Sequence, residues 1–457
     1  MKQMAEPSTL PLDIFNCRIA GITSIEASAG TGKTWAICGL YLRLLVETGL
    51  TVDQILVVTF TNAATAELRT RVRDRLGEVL HALENSGEGG GDPFVEKFLR
   101  RIATLGGEAA EQAGARLRTA LFSFEDAAIF TIHSFCRHAL DEVPFAAVQP
   151  FQLEVTADDG ETIRETAADY WRRITARYDA EEIDALLQAG LDPEWLTREL
   201  RRVLGKPTAG LVFPECSPDD PRRARRAVYM KRILLRLGPG AVRAAKRRRR
   251  VIAYDDMLYN LYEALTGGRL PWLAETLRSR FPAALIDEFQ DTDPLQFAIF
   301  RSLYFSGGTL FMVGDPKQAI YSFRNADLHT YLAAKRHADR HRTLAENQRS
   351  EPGLITAVNA LFTANENVFG SPEIRYRPVV MGAKPRRDLR GDPEPRESLS
   401  VWLLPPGKKD GPLKVSEAQQ FALAATTGEI ARLLAAGESG LVTIGDEPLQ
   451  ARDIAVL

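Results

Sequence analysis

The chain has 457 residues, of which 45% are hydrophobic and 26% charged, and its net charge is −2. That length suits two to four domains of ordinary globular composition. The chain as a whole is not a polycation, which still leaves room for a local basic groove, and no apolar run approaches the ~20 residues of a membrane span.

In chain order, the opening "MKQMAEPSTLPLDIF" lacks the charged-then-apolar layout of a signal peptide. The four cysteines (Cys17, Cys38, Cys136, Cys216) show neither zinc nor disulfide spacing. Both features point to a reduced cytoplasm. "SIEASAGTGKTWAI" (Ser24–Ile37) reads as a small-residue loop running into a helix. "QILVVTF" (Gln54–Phe60) is a continuous apolar run rich in β-branched residues, as are "AALI" (Ala283–Ile286) and "TLFMV" (Thr309–Val313). Such runs suit parallel strands covered on both faces. Each ends at a polar turn, "TNAAT", "DEFQD" and "GDPKQ". Ligands of open α/β sheets bind beyond the carboxyl ends of the strands, so these turns and the loop at Ala27–Thr34 are expected to converge.

"ENSGEGGGDP" (Glu84–Pro93) is a loop by composition. From about 150 to 250 the pattern is helical without buried-strand runs, as for a helical domain inserted into the α/β domain. Its two basic runs, "RRARR" (Arg222–Arg226) and "KRRRR" (Lys246–Arg250), read most simply as solvated helix faces. "KPRRDLRGDPEPRE" (Lys384–Glu397) reads as a connector, "SLSVWLL" as a strand, and "EAQQFALAATTGEIARLLAAG" as an amphipathic helix. The final "ARDIAVL" reads as the opening of a buried strand, which suggests a truncated chain. The expected organisation is an α/β RecA-like phosphate-loop domain with a parallel sheet (1–150 and 251–345), a helical inserted domain (151–250) and an incomplete second RecA-like domain (346–457).

The chemistry is carried by "ASAGTGKT" and "ALIDEFQD". Backbone N–H groups of Gly30, Thr31, Gly32 and Lys33, in a loop that also holds Ala27, Ser28 and Ala29, would cradle phosphates at a helix N-terminus. Lys33 would reach the β- and γ-phosphates of ATP, and the Thr34 hydroxyl would ligate Mg²⁺. Ala27 replaces the first glycine of the usual pattern, and alanine resists positive φ. Asp287 ends an apolar run and can hold Mg²⁺ through water. Glu288 follows, placed to orient or deprotonate an attacking water. In-line hydrolysis of ATP is the reaction implied.

At "DEFQD" and "GDPKQAIYSFR" the sequence resembles motifs II and III of the UvrD-type superfamily 1 DNA helicases. "ASAGTGKT", "VTFTNAATAELR", "FTIHSFC" and "ENQRS" resemble motifs I, Ia, Ib and IV, in family order. The motif flanks are most similar to the RecB family, the beta subunits of exodeoxyribonuclease V. The resemblance implies an ATP-dependent 3′ to 5′ translocase of double-strand-break repair, acting on single-stranded and duplex-end DNA with RecC- and RecD-like partner subunits. It assigns Gln318 to sensing the γ-phosphate and Arg349 to an arginine finger. It places Phe60, Tyr321 and Phe323 against single-stranded bases, with Thr61, Asn62, His133 and Arg324 contacting or bracing the strand. Without the motif context, core packing at strand ends explains those aromatics as well.

Two departures stand out. Gln348 precedes the motif IV arginine where relatives carry an aromatic that stacks on adenine, so weaker ATP binding or looser base choice is expected. Nothing in the chain resembles motifs V and VI or the nuclease domain of the RecB family. The rival to a motor is therefore a module that holds nucleotide and DNA without turnover.

Overall fold

The computed structural model describes residues 9–85, 91–142, 154–213, 215, 221–320, 326–365, 367–392, 397–407 and 411–457. The chain divides into two compact units, Met1–Glu26 with Lys33–Thr343, and Ala27–Gly32 with Leu344–Leu457.

The first unit is built on a seven-stranded sheet. Its order is Leu10–Pro11, Arg340–Leu344, Gly21–Ala27, Thr309–Gly314, Ala283–Ile286, Ile55–Thr59, Ile129–Thr131. Five of its six pairings are parallel by register, those other than Arg340–Leu344 with Gly21–Ala27. The three apolar runs are strands as expected, and Ile55–Thr59 and Ala283–Ile286 are buried along their whole length. Their β-branched and leucine side chains suit a surface covered on both faces, where no polar alternation is needed. One register row, Ser24, Met312, Ile286, Val58 and Phe130, crosses five strands. The residues that follow each of these in sequence therefore leave the sheet at one edge.

Glu154–Thr156 pairs in parallel with Val251–Ala253, a short ribbon where the sequence pattern shows no strands. Between them lie helices Gly160–Thr175, Ala180–Gln188, Pro193–Leu204 and Arg222–Arg249. They pack around Ala167, Leu186, Leu191, Leu196, Met230 and Leu234. The basic runs are only partly solvated faces. Lys246 is buried and forms ion pairs with Asp159 and, at 2.7 Å, with Asp256. Arg226 pairs with Glu182 and lies over the Tyr178 ring. Arg247 and Arg248 are exposed.

In the second unit, Glu346–Asn347 pairs with Val380–Met381. Leu389–Arg390, inside the expected connector, joins Thr443–Ile444 and Glu447–Pro448 in an antiparallel sheet. Helices Pro352–Thr363 and Val415–Glu438 complete it. Two expectations fail here. Residues 398–404 form no strand, and Leu403 is 90% exposed. Residues 454–457 likewise form no strand, and all but the half-buried Ile454 are exposed, rather than opening a buried strand. An apolar run becomes a strand only when a neighbouring strand takes its backbone hydrogen bonds, and neither run belongs to a sheet of the described residues. No helix among the described residues is long and apolar enough to cross a membrane.

Candidate active site

The phosphate loop joins the end of the Gly21–Ala27 strand to the start of the Lys33–Arg43 helix. Gly30 and Gly32 take φ of 75° and 90°, the left-handed region that glycine enters at no steric cost. Ala27 is buried strand backbone, and its φ is not positive. The missing first glycine therefore introduces no strain. Thr31 closes the turn, its Oγ1 donating to the Ser28 carbonyl at 2.7 Å.

Ala27–Gly32 of this loop belongs to the second unit, where the motif IV segment holds it. The Gln348 N–H donates to the Gly30 carbonyl at 2.7 Å, and Asn347 Nδ2 donates to the Ala29 carbonyl at 3.2 Å. Asn347 Oδ1 accepts from the backbone N–H groups of Arg349 and Ser350, each at 2.8 Å. Arg349 is exposed, and its guanidinium has no partner among the described residues. Gln348 lies against Gly382 and accepts from the Lys384 N–H at 3.1 Å.

In the first unit, Lys33 opens its helix and reaches Glu288. Its Nζ donates to Oε1 and Oε2 at 2.8 and 2.6 Å. Asp287 leaves the Ala283–Ile286 strand directly before Glu288, whose N–H donates to Asp287 Oδ1 at 2.9 Å. Burial first, and the Glu288 charge second, push the Asp287 carboxyl up to about 6. Asp291 is raised to about 6 by the same two causes. Glu288 itself has φ 49°, one of two described non-glycine residues with positive φ.

Magnesium fits the residues present. Among the described residues no group of three or more His, Cys, Asp or Glu side chains could hold a metal. Mg²⁺ bound with a nucleotide needs no such cage, because phosphates and water fill most of its six positions. The Thr34 hydroxyl makes no hydrogen bond among the described residues, and Asp287, raised by burial, carries a charge with no cation paired to it other than nearby Lys33. Both are available to a cation.

Several residues at this edge were not singled out in the sequence. Gln290, 2% exposed, donates to Glu288 Oε2 at 2.8 Å, and its Oε1 accepts from the Asp315 N–H at 2.9 Å. Asp315 in turn accepts from Gln318 Nε2 at 2.7 Å and pairs with Lys317 at 2.6 Å. Lys317 and Lys335 both pair with Glu26, at 3.1 and 3.0 Å. Burial alone would raise Glu26, but the two lysines bring its carboxyl below the ordinary value. A run of polar residues after buried strands was the available signal. The partners could not be read from it.

The expected strand-contacting residues divide. Phe60 is half-buried at the end of its strand. Thr61 caps the Asn62–Glu84 helix, its Oγ1 accepting from the Ala64 N–H at 3.1 Å, and Asn62 is exposed. The register Thr59 to Thr131 brings this turn beside His133. His133 packs edge-to-face on Tyr254 with ring centroids 5.6 Å apart, and burial lowers its pKa. Tyr254 is half exposed and was not expected. Tyr321, Phe323 and Arg324 lie outside the described residues, as does Cys216.

Residues 12–339 match the UvrD/REP helicase N-terminal domain. The chain is similar to the RecBCD enzyme subunit RecB of Escherichia coli, 31% identical over 98% of this chain and 47% of that protein. The same subunit of Mycolicibacterium smegmatis is 34% identical over 95% of this chain and 38% of its own length. That of Mycobacterium tuberculosis is 36% identical over 74% of this chain and 29% of its own. The chain thus spans less than half the length of these relatives.

Proposed function

The chain belongs to the UvrD/REP helicase family, and on that premise we propose that it binds and hydrolyses ATP as the amino-terminal part of a RecB-like DNA motor. The observation that carries the reading is the clamp of Lys33 on both oxygens of Glu288 beside the glycine turn. The lysine proposed to reach phosphate and the acid proposed to handle water are held against each other. A triphosphate competes for the ammonium, because its γ-phosphate carries more negative charge than one carboxylate. Glu288 is thereby released to orient the attacking water. The water oxygen bonds to the γ-phosphorus, its proton goes to Glu288, and the bridging oxygen leaves with ADP. Mg²⁺, held by Thr34 and through water by Asp287, supplies charge neutralisation at the phosphates when bound. Gln318 senses the γ-phosphate and Arg349 acts as the arginine finger.

We assign Phe60, Thr61, Asn62, His133, Tyr321, Phe323 and Arg324 to single-stranded DNA, with Tyr254 supporting His133. The half-exposed Tyr254 packed on His133 supports this, since base stacking needs ring surface that solvent reaches. Residues 1–150 with 251–345 form the first motor domain, 151–250 the helical insert, and 346–457 the beginning of the second. Movement from 3′ to 5′, recombinational repair in the cytoplasm, and association with RecC- and RecD-like subunits complete the proposal.

The test is ATP turnover with and without single-stranded DNA. Lys33→Ala abolishes DNA-stimulated hydrolysis, and Glu288→Gln loses turnover while retaining nucleotide binding. Unaltered turnover in Lys33→Ala overturns the assignment. Binding of ATP and DNA by the parent chain with no turnover at all identifies a non-motor module instead.

A further inference from the structure

We infer that Gln290 is a positioning residue, which fixes the oxygen of Glu288 that receives the proton and ties that acid to the Asp315–Gln318 turn. The inference rests on the hydrolytic reading above and extends it to a residue outside the expected set.

The geometry is specific. Gln290 is buried, and each end of its amide is used. Nε2 donates to Glu288 Oε2 at 2.8 Å and to Asp291 Oδ2 at 3.2 Å. Oε1 accepts from the Asp315 backbone N–H at 2.9 Å. The strand ahead of Asp315 is shaped to admit this amide. A Cβ placed on Gly314 would lie 2.7 Å from Gln290 Oε1 and 3.1 Å from its backbone nitrogen. Gly314 does not have a positive φ, so close approach is its reason for being glycine. The amide orientation follows from its partners: the Asp315 N–H needs an acceptor and the Glu288 carboxylate needs a donor.

The two oxygens of Glu288 are thereby unequal. Lys33 contacts both, but Gln290 contacts only Oε2. When a triphosphate draws Lys33 away, Oε2 keeps a donor from a buried side chain, and Oε1 is left to accept from water. The acid cannot rotate freely about its last bond without losing that hydrogen bond. The same amide anchors the backbone of Asp315, whose carboxylate holds Gln318 Nε2 at 2.7 Å. Glu288, Gln290, Asp315 and Gln318 thus form one hydrogen-bonded chain from the acid to the proposed γ-phosphate sensor. A change at the sensor reaches Glu288 through three hydrogen bonds, the middle one donated by a backbone N–H.

Gln290→Met tests this, since it retains most of the volume and removes all three hydrogen bonds of the amide. Steady-state ATP turnover is measured with and without single-stranded DNA, alongside equilibrium binding of a fluorescent nucleotide and thermal melting. The expected result is a fall in kcat of about tenfold or more, because orientation of the catalytic base is lost, with KM and nucleotide affinity changed less than about twofold. The stimulation by DNA is expected to fall as well. Gln290→Glu, assayed at pH 8, retains the acceptor for Asp315 but loses the donor to Glu288. It is expected to lose basal turnover in the same way, and it serves if the methionine variant does not fold. A folded variant of either kind with kcat within twofold of the parent overturns the inference, as does a loss wholly in KM. Lys33→Ala is run in parallel: if it retains turnover, the hydrolytic reading fails, whereas its inactivity beside fully active Gln290 variants removes only the positioning role.

Discussion

Glu288 occupies a backbone conformation that side chains usually avoid, with φ 49°. The left-handed region is uncommon for a residue with a long side chain. Here the turn after Asp287 carries three residues straight into the Phe289–Asp291 helical turn, and that tight path sends the Glu288 carboxylate to Lys33. Gly30 has the opposite relation of residue to conformation. Its φ of 75° suits glycine, and a Cβ there would lie 2.9 Å from the Arg349 Cβ and 3.0 Å from Asn347 Oδ1. Gly30→Ala is therefore expected to weaken nucleotide binding at least tenfold, a penalty of about 1.4 kcal/mol, as measured by fluorescent-nucleotide titration. Gln348 offers an amide where relatives of the family present a ring. Gln348→Tyr or Gln348→Trp is expected to tighten ATP binding by ~0.5–1.5 kcal/mol from the added aromatic face; unchanged affinity in the same titration would show that the base does not stack there.

At the scale of elements, the Pro294–Tyr304 helix begins with Asp293, whose Oδ1 accepts from the Gln296 N–H at 2.8 Å. Burial pushes its carboxyl up to about 6 from 3.8. A raised carboxyl binds its proton more tightly folded than unfolded, so stability falls as pH rises from about 4 through 6. Asp293→Asn keeps an oxygen acceptor for the cap and removes the buried charge. Its melting temperature is expected to exceed that of the parent at pH 7–8, by the equivalent of roughly 1–3 kcal/mol, and the gap closes as pH approaches 4. The base of the helical insert has a different support. Lys246, on the Arg222–Arg249 helix, is buried between Asp159 and Asp256, and Asp256 Oδ2 also accepts from the Ala253 N–H at 3.0 Å. Lys246→Met leaves two carboxylates without their cation and is expected to destabilise by about 3–5 kcal/mol, seen as an early transition in thermal or urea unfolding.

For the whole molecule, the sheet order decides what becomes neighbours. Strands separated by more than two hundred residues, such as Ile55–Thr59 and Ala283–Ile286, lie side by side. Their next residues supply Phe60 and Asp287 to one edge. On the proposed reading these turns serve nucleotide and single-stranded DNA together, so residues 1–457 are expected to bind both in equilibrium titrations; no binding of either would refute that expectation.

The legible parts were those written in local pattern. Apolar β-branched runs marked the buried strands, because a strand covered on both faces has no use for polar residues. The polar turns after them marked the site, and the order of six motifs marked the family. "SLSVWLL" shows the limit of the same reasoning, since its apolar run joins no sheet of the described residues and remains exposed. Ala27 is the reverse case. Read against the motif it looked like a flaw, and only the backbone shows that its position asks for no positive φ. The sequence alone thus determined the fold class and offered the phosphate loop with Lys33, Asp287 and Glu288 as candidates, because each depends on neighbours within a few residues. The pairing of Lys33 with Glu288, the bridge through Gln290 to Asp315, and the burial of Lys246 between two acids were decided by tertiary structure. Such hydrogen bonds and ion pairs depend on distance in space, and no local pattern of residue types specifies which distant partner will arrive.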